Sequence, residues 1–145
     1  MKKQKIILVD NVGFLRNALK NILLSIGNVE IIAEARNGNE FIELLDKFPT
    51  DIAFIDIKLP TDEGIEITKA ALKKNPKLTI IAFSSVDKQC YIDQIIAAGA
   101  KGYLSKCENN YNVLVDIIKD PKSGYFFSNE KYYINPHIEQ TKCYT

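Results

Sequence analysis

The chain is poor in the residues that usually announce chemistry. Its 145 residues include one histidine and three cysteines, and its net charge is only +1. Cys90, Cys107 and Cys143 are odd in number and share no CxxC or metal-type spacing, which argues against a disulfide framework or a zinc site. A reducing compartment, and therefore a cytoplasmic location, fits that usage. His137 stands near the C-terminus among Tyr132, Tyr133, Asn135 and Pro136, away from any catalytic-looking partner, and reads as structural. Near-neutral charge lacks the electrostatic footprint of a dedicated nucleic-acid binder. No apolar run approaches the length needed to cross a bilayer. The basic start Met1-Lys2-Lys3-Gln4-Lys5 leads into Ile6-Ile7-Leu8-Val9, but Asp10 interrupts the run after four residues, so it reads as a strand and not a signal peptide. What remains is 46% hydrophobic and 26% charged residues, the profile of one ordinary globular domain.

Strand-length apolar runs alternate with segments of helical period. The strands are expected at residues 5–9, 29–35, 51–56, 79–84 and 102–104. Phe14/Leu15, Ala18/Leu19, Ile22/Leu23 and Ile26 recur at spacings of three and four, predicting an amphipathic helix ended by Gly27. Further helices are predicted over 37–48 with Asn37 or Asn39 as cap, over 65–72 with a stop near Asn75-Pro76, over 87–98 with Asp87 as cap and Gly99 as stop, and over 110–118 before Asp120-Pro121. Strand–helix repeated five times implies an α/β fold, an open parallel sheet with helices on both faces. Such folds hold their sites at the carboxyl ends of the strands.

The residues at those ends are suggestive. Strand one runs into Asp10-Asn11, strand three stops at Asp56, strand four at Ser84-Ser85, and strand five leads to Lys106. Each alone has a structural reading: Asp10 as a helix cap, Asp56 as a strand terminator, Ser84 as a loop residue, Lys106 as a solvated cation. A parallel sheet brings all of them to one rim. A carboxylate there is able to attack an activated phosphoryl group and form an aspartyl phosphate, a reaction that needs mainly positioning and charge neutralisation. Mg²⁺ on one or two carboxylates supplies part of that. A lysine ammonium supplies more as a point charge, and a hydroxyl on the next strand end is placed to donate to a phosphoryl oxygen.

With these residues assembled, the chain resembles the receiver domain of bacterial two-component response regulators. The matching stretches are Ile7-Leu8-Val9-Asp10-Asn11, Asp56-Ile57-Lys58-Leu59-Pro60 with Gly64 beyond, Ile80-Ile81-Ala82-Phe83-Ser84-Ser85, and Ala98-Gly99-Ala100-Lys101-Gly102-Tyr103-Leu104-Ser105-Lys106. The resemblance implies a flavodoxin-like, doubly wound, five-stranded parallel sheet of order 2-1-3-4-5 with five helices. It implies that Asp56 accepts a phosphoryl group from a histidine kinase or phosphotransfer protein, and that Asp10, Asn11, Asp56 and the Lys58 backbone carbonyl face a Mg²⁺. Lys106 would pair with the phosphoryl oxygens, Ser84 would bond one of them, and Tyr103 would act as the aromatic switch. The chain would then be a signalling phosphoacceptor and not an enzyme in the ordinary sense.

Residues 4–120 are assigned to this receiver and residues 121–145 to an extension or the start of a linker. Lys122-Ser123-Gly124-Tyr125-Phe126-Phe127-Ser128 and Asn11-Val12-Gly13-Phe14-Leu15-Arg16 resemble regulators that continue into a LuxR-type helix-turn-helix, so the chain is expected to be a fragment of a transcription factor or a stand-alone receiver. The same resemblance makes helix four, strand five and helix five an expected dimer or output face. Tyr91, Ile92, Ile95 and Ile96 give helix four more apolar surface than one core face needs, with core packing as the alternative. No direct contact with nucleic acid or membrane is expected.

Two positions depart from the family pattern. Asn11 stands where the family carries an acid, which predicts weaker Mg²⁺ binding. Cys107 stands where the family often has a cis-proline. A cis bond there would cost about 3–4 kcal/mol, so a trans bond or a strained loop is expected. The Asn11 departure keeps open a degenerate receiver that binds partners without phosphorylation. A haloacid-dehalogenase phosphatase is disfavoured because Asp10-Asn11-Val12 is not DxD, and a flavodoxin because the loop after strand one lacks a phosphate cradle.

Overall fold

The computed structural model describes residues 2–56, 62–85 and 88–128. Lys58, Asp87, Tyr132, Tyr133, His137 and Cys143, to which the sequence assigns roles, lie outside the described residues. Six strands and five helices alternate: β1 (Gln4–Val9), α1 (Gly13–Ile26), β2 (Val29–Ala35), α2 (Gly38–Lys47), β3 (Ile52–Asp56), α3 (Asp62–Lys74), β4 (Thr79–Ser84), α4 (Gln89–Ala97), β5 (Gly102–Ser105), α5 (Tyr111–Lys119) and β6 (Phe126–Phe127). The sheet is parallel throughout and ordered β2-β1-β3-β4-β5-β6.

The five expected strands are found in the order 2-1-3-4-5, but the sheet has a sixth. β6 pairs with β5 through Gly102–Phe126 and Tyr103–Phe127. Glycine is required on the β5 side, since a Cβ at Gly102 would meet the Phe126 carbonyl oxygen at 2.6 Å. The approach to β6 is fixed by Phe126 N–H donating to Lys101 O at 2.9 Å and by the Lys101 ammonium, 4.9 Å from the Tyr125 ring centre. Thr79 Oγ1, at the amino-terminal start of β4, donates to Pro121 O at 3.3 Å. Phe126 is buried with Leu104, Leu114, Ile117 and Ile118.

Side chains leave successive strand residues on opposite faces. Ala53, Ile55, Ile80, Ala82 and Tyr103 pack with Phe41, Ala71, Ile92 and Ile95 on the α2–α3–α4 side. Ile52, Phe54, Ile81 and Leu104 pack with Leu23, Leu114, Ile117 and Ile118 on the α1–α5 side. Central strands buried on both faces account for the almost unbroken apolar sequences of β1, β3 and β4.

The helices depart from the sequence reading in two places, the start of α4 and the exposure of α1. Asn37 caps α2 as expected, its side chain accepting the Glu40 N–H at 2.9 Å. α4, by contrast, begins later than predicted, with Lys88 at its N-cap and no side-chain cap. Tyr91, Ile92, Ile95 and Ile96 are all buried, so the apolar surface of α4 goes into the core and is not left over. On α1 the opposite holds. Leu23 is its one buried residue, while Phe14 is 80% exposed and Leu15, Ile22 and Leu24 are also exposed.

Candidate functional site

Parallel register brings the ends of β1, β3, β4 and β5 to one rim. Val9 pairs with Ile55, Asp56 with Phe83, and Ser84 with Ser105, so Asp10, Asp56, Ser84 and Lys106 are all within a residue of a strand end. Lys106 is the hub. Its Nζ lies 2.6 Å from Asp56 Oδ1 and 3.3 Å from Asp10 Oδ2. The Asp56 side chain is 7% exposed and that of Lys106 only 22%, so Lys106 is a partner of the carboxylates and not a solvated surface cation. A carboxylate this sheltered is costly without a counter-charge, and the ammonium meets that need for two acids at once.

Asp10 serves two purposes. One oxygen faces Lys106, and the other accepts the Val12 N–H at 2.8 Å, which turns the chain into α1. Its carbonyl accepts a hydrogen bond from the Arg16 guanidinium, while Arg16 Nε also pairs with Glu34 Oε1 at 3.3 Å. Arg16 therefore ties the loop carrying Asp10 and Asn11 to α1 and β2. Nothing in the strand-end pattern marks Arg16, because it reaches the rim only through the fold.

Two cavities open on this rim. A polar cleft of about 590 Å³ is lined by Asp10, Asn11, Arg36, Asp56, Glu63 and Gly64, among others. Arg36 and Glu63 were not legible as site residues. Arg36 is engaged by Glu40, with Nη2 to Oε2 at 2.8 Å. That hydrogen bond holds the Glu40 carboxyl below its ordinary range and the Arg36 guanidinium above its own. The second cavity, about 500 Å³ and mostly apolar, lies between α1 and α5 with Leu15, Leu19, Ile22, Phe54, Phe83 and Leu114 in its walls and Asp56 and Lys106 at one end.

Asp10, Asp56 and Lys106 are thus in direct contact, and Asn11 shares their cleft. Ser84 is buried at the same rim and its carbonyl oxygen accepts the Lys106 N–H at 2.8 Å. Tyr103 is fully buried, beyond the half-buried state of an ordinary strand aromatic, and packs with the α2–α3–α4 cluster. Among the described residues no group of three His, Cys, Asp or Glu forms a ready-made metal cage. Two carboxylates and an amide at a polar cleft nevertheless suit Mg²⁺, a hard ion that keeps several waters and needs one or two carboxylates.

Residues 6–119 match the response regulator receiver domain model, and the chain belongs to that family. It is 34% identical over 103 residues to the chemotaxis protein CheY of Thermotoga maritima, covering 71% of this chain and 85% of that protein. It is 28% identical over 122 residues to the transcriptional regulatory protein DegU of Brevibacillus brevis, covering 84% of this chain and 51% of DegU. The chain therefore spans about half the length of that relative. In fold it is similar to a LuxR-family two-component response regulator from Aurantimonas sp. SI85-9A1, with a TM-score of 0.77, 24% identity and coverage of 97% of this chain and 95% of that one. The isolated REC domain of RcsB from Salmonella enterica, solved with the phosphomimetic BeF3-, gives a TM-score of 0.77 at 19% identity, covering 89% and 95%.

Proposed function

We infer that Asp56 is the phosphoacceptor of this receiver. The observation that carries the reading is the sheltered Asp56 carboxylate held 2.6 Å from the Lys106 ammonium at the carboxyl rim of the sheet. An Asp56 oxygen attacks the phosphorus of an activated donor. The bond from phosphorus to the donor nitrogen breaks, its electron pair stays with that nitrogen, and a proton from solvent completes the leaving group. Lys106, already in place, transfers its hydrogen bonding from the carboxylate to the phosphoryl oxygens. Asp10, Asn11, Asp56 and the Lys58 carbonyl would hold Mg²⁺, which when bound neutralises phosphoryl charge. Ser84 then donates to a phosphoryl oxygen, and Tyr103, packed against α4, follows the shift of the β4–α4 connection.

The phosphodonor is a histidine kinase or phosphotransfer protein acting in the cytoplasm. The exposed Phe14 and Leu15, in the first turn of α1 beside the rim, supply the apolar surface for its docking. Among the described residues no helix is long and apolar enough to cross a membrane. A homodimer through α4, β5 and α5 and control of a DNA-binding output domain outside this sequence complete the proposal. The output role is supported by the transcriptional regulatory proteins among its relatives, of which the chain spans about half. Incubation with a small phosphodonor and Mg²⁺, read by intact mass, tests the reading. Addition of one phosphoryl group that disappears in Asp56→Asn supports it. No addition to the unaltered chain, or addition that survives the substitution, leaves the phosphorylation-independent interaction module as the better account.

A further inference from the structure

We propose that Ser128, acting with Asn110, is a positioning residue for Lys106, so that the phosphoacceptor site is completed by the strand that follows the family-matched segment. The proposal rests on the Asp56–Lys106 reading above and extends the site to Ser128, which neither the strand-end pattern nor the family match includes.

Lys106 directly follows β5, and its backbone is held through Ser105. The β5–β6 ladder stops at Tyr103–Phe127, before it reaches Ser105. The Ser128 hydroxyl takes over at that point, accepting the Ser105 N–H at 2.6 Å. The same hydroxyl donates to Asn110 Oδ1 at 2.6 Å, and Asn110 Nδ2 donates to Ser105 O at 2.9 Å. Three bonds close a ring around both backbone groups of Ser105. Ser105 Oγ accepts the Cys107 N–H at 3.2 Å, and Lys106 N–H donates to Ser84 O at 2.8 Å, so the residues on either side of the Lys106 α-carbon are fixed. Ser105 and Asn110 are buried, which leaves water a poor substitute for the Ser128 hydroxyl.

The consequence for the site is geometric. A lysine side chain has four flexible carbons, and placing its nitrogen 2.6 Å from one carboxylate and 3.3 Å from another requires a fixed backbone origin. Loss of the Ser128 hydroxyl strips the Ser105 N–H of its partner and frees the loop that carries Lys106. The coupling runs both ways: a Lys106 drawn toward a new phosphoryl group pulls on the ring that holds Ser128, and so on the chain that leaves from it.

The test compares Ser128→Ala, Ser128→Thr and Thr79→Val in the full chain. Thr79→Val removes the hydroxyl that anchors the same C-terminal segment at the opposite end of the sheet. Two readouts are taken: the rate of phosphorylation by a small phosphodonor with Mg²⁺, and the amide and Nζ resonances of Lys106 without any donor. Ser128→Ala is expected to slow phosphorylation about ten-fold, as misplacement of a reacting or neutralising group does, and to shift both Lys106 resonances. Ser128→Thr, which keeps the hydroxyl, restores both, while Thr79→Val lowers the melting temperature and moves neither. Unshifted Lys106 resonances in Ser128→Ala, failure of threonine to restore them, or equal effects from Thr79→Val would overturn the proposal. A chain that takes no phosphoryl group on Asp56 overturns the parent reading instead, and the resonances still decide whether Ser128 positions Lys106.

Discussion

The two faces of the sheet are built from alternating residues of the same strands, yet they are packed differently. On the α2–α3–α4 face, Phe41, Ile92, Ile95 and Tyr103 form a closed apolar layer beneath the polar cleft at the rim. On the α1–α5 face a largely apolar cavity of about 500 Å³ remains between the helices, and α1 turns Phe14 and Leu24 to solvent. Asp56 and Lys106 stand at the end of that open cavity. The closed face thus carries the stability and the buried aromatic proposed as a switch, and the open face carries the surface proposed to meet a phosphodonor.

The comparison breaks first on stability. Phe41→Ala on the closed face should cost about 3–5 kcal/mol in a urea unfolding experiment, the range for a fully buried phenylalanine. Equal tolerance of that change and of Phe14→Ala would erase the distinction. Next come paired enlargements. Ala82→Leu, at a fully buried position, should destabilise by about 1–3 kcal/mol through overpacking. Ala18→Leu, in the wall of the open cavity, should stabilise by about 0.5 kcal/mol or more by filling space. Opposite signs in calorimetry sharpen the comparison, and a shared sign removes it. Phe14→Ala should leave stability within about 0.5 kcal/mol. It should slow transfer from a protein phosphodonor while a small phosphodonor reacts at the unaltered rate. Smallest in stability, Asn11→Asp should tighten Mg²⁺ by a few-fold at low salt, because ligand charge sets affinity at such sites. An unchanged titration would remove Asn11 from the metal site.

The sequence and the structure agree most where one residue's neighbours decide its state. β1, β3 and β4 were legible because both faces of each are buried, and buried parallel strands show as apolar runs. Asp10, Asp56 and Lys106 were legible because a parallel sheet gathers strand ends. β6 was not, since two residues carry no period, and its seat depends on the bare α-carbon of Gly102 on the neighbouring strand. The exposure of α1 was hidden for the opposite reason: its 3–4 spacing is that of a core helix, but only Leu23 is fully buried, with Leu19 and Ile26 packed partly against the core. Arg16 and Glu63 arrive at the rim from helices, Arg36 from the bend between β2 and α2, and Ser128 from the residue after β6. Contacts between such segments follow from tertiary packing, which local pattern does not encode.

Borohydride reduction of the phosphorylated chain, followed by peptide mapping, tests the central claim most directly, because hydride converts an acyl phosphate on aspartate into the alcohol of homoserine. The account predicts homoserine at position 56 in the phosphodonor-treated chain and at no other aspartate. Homoserine at position 10, or none in a chain that has gained a phosphoryl group, would contradict it.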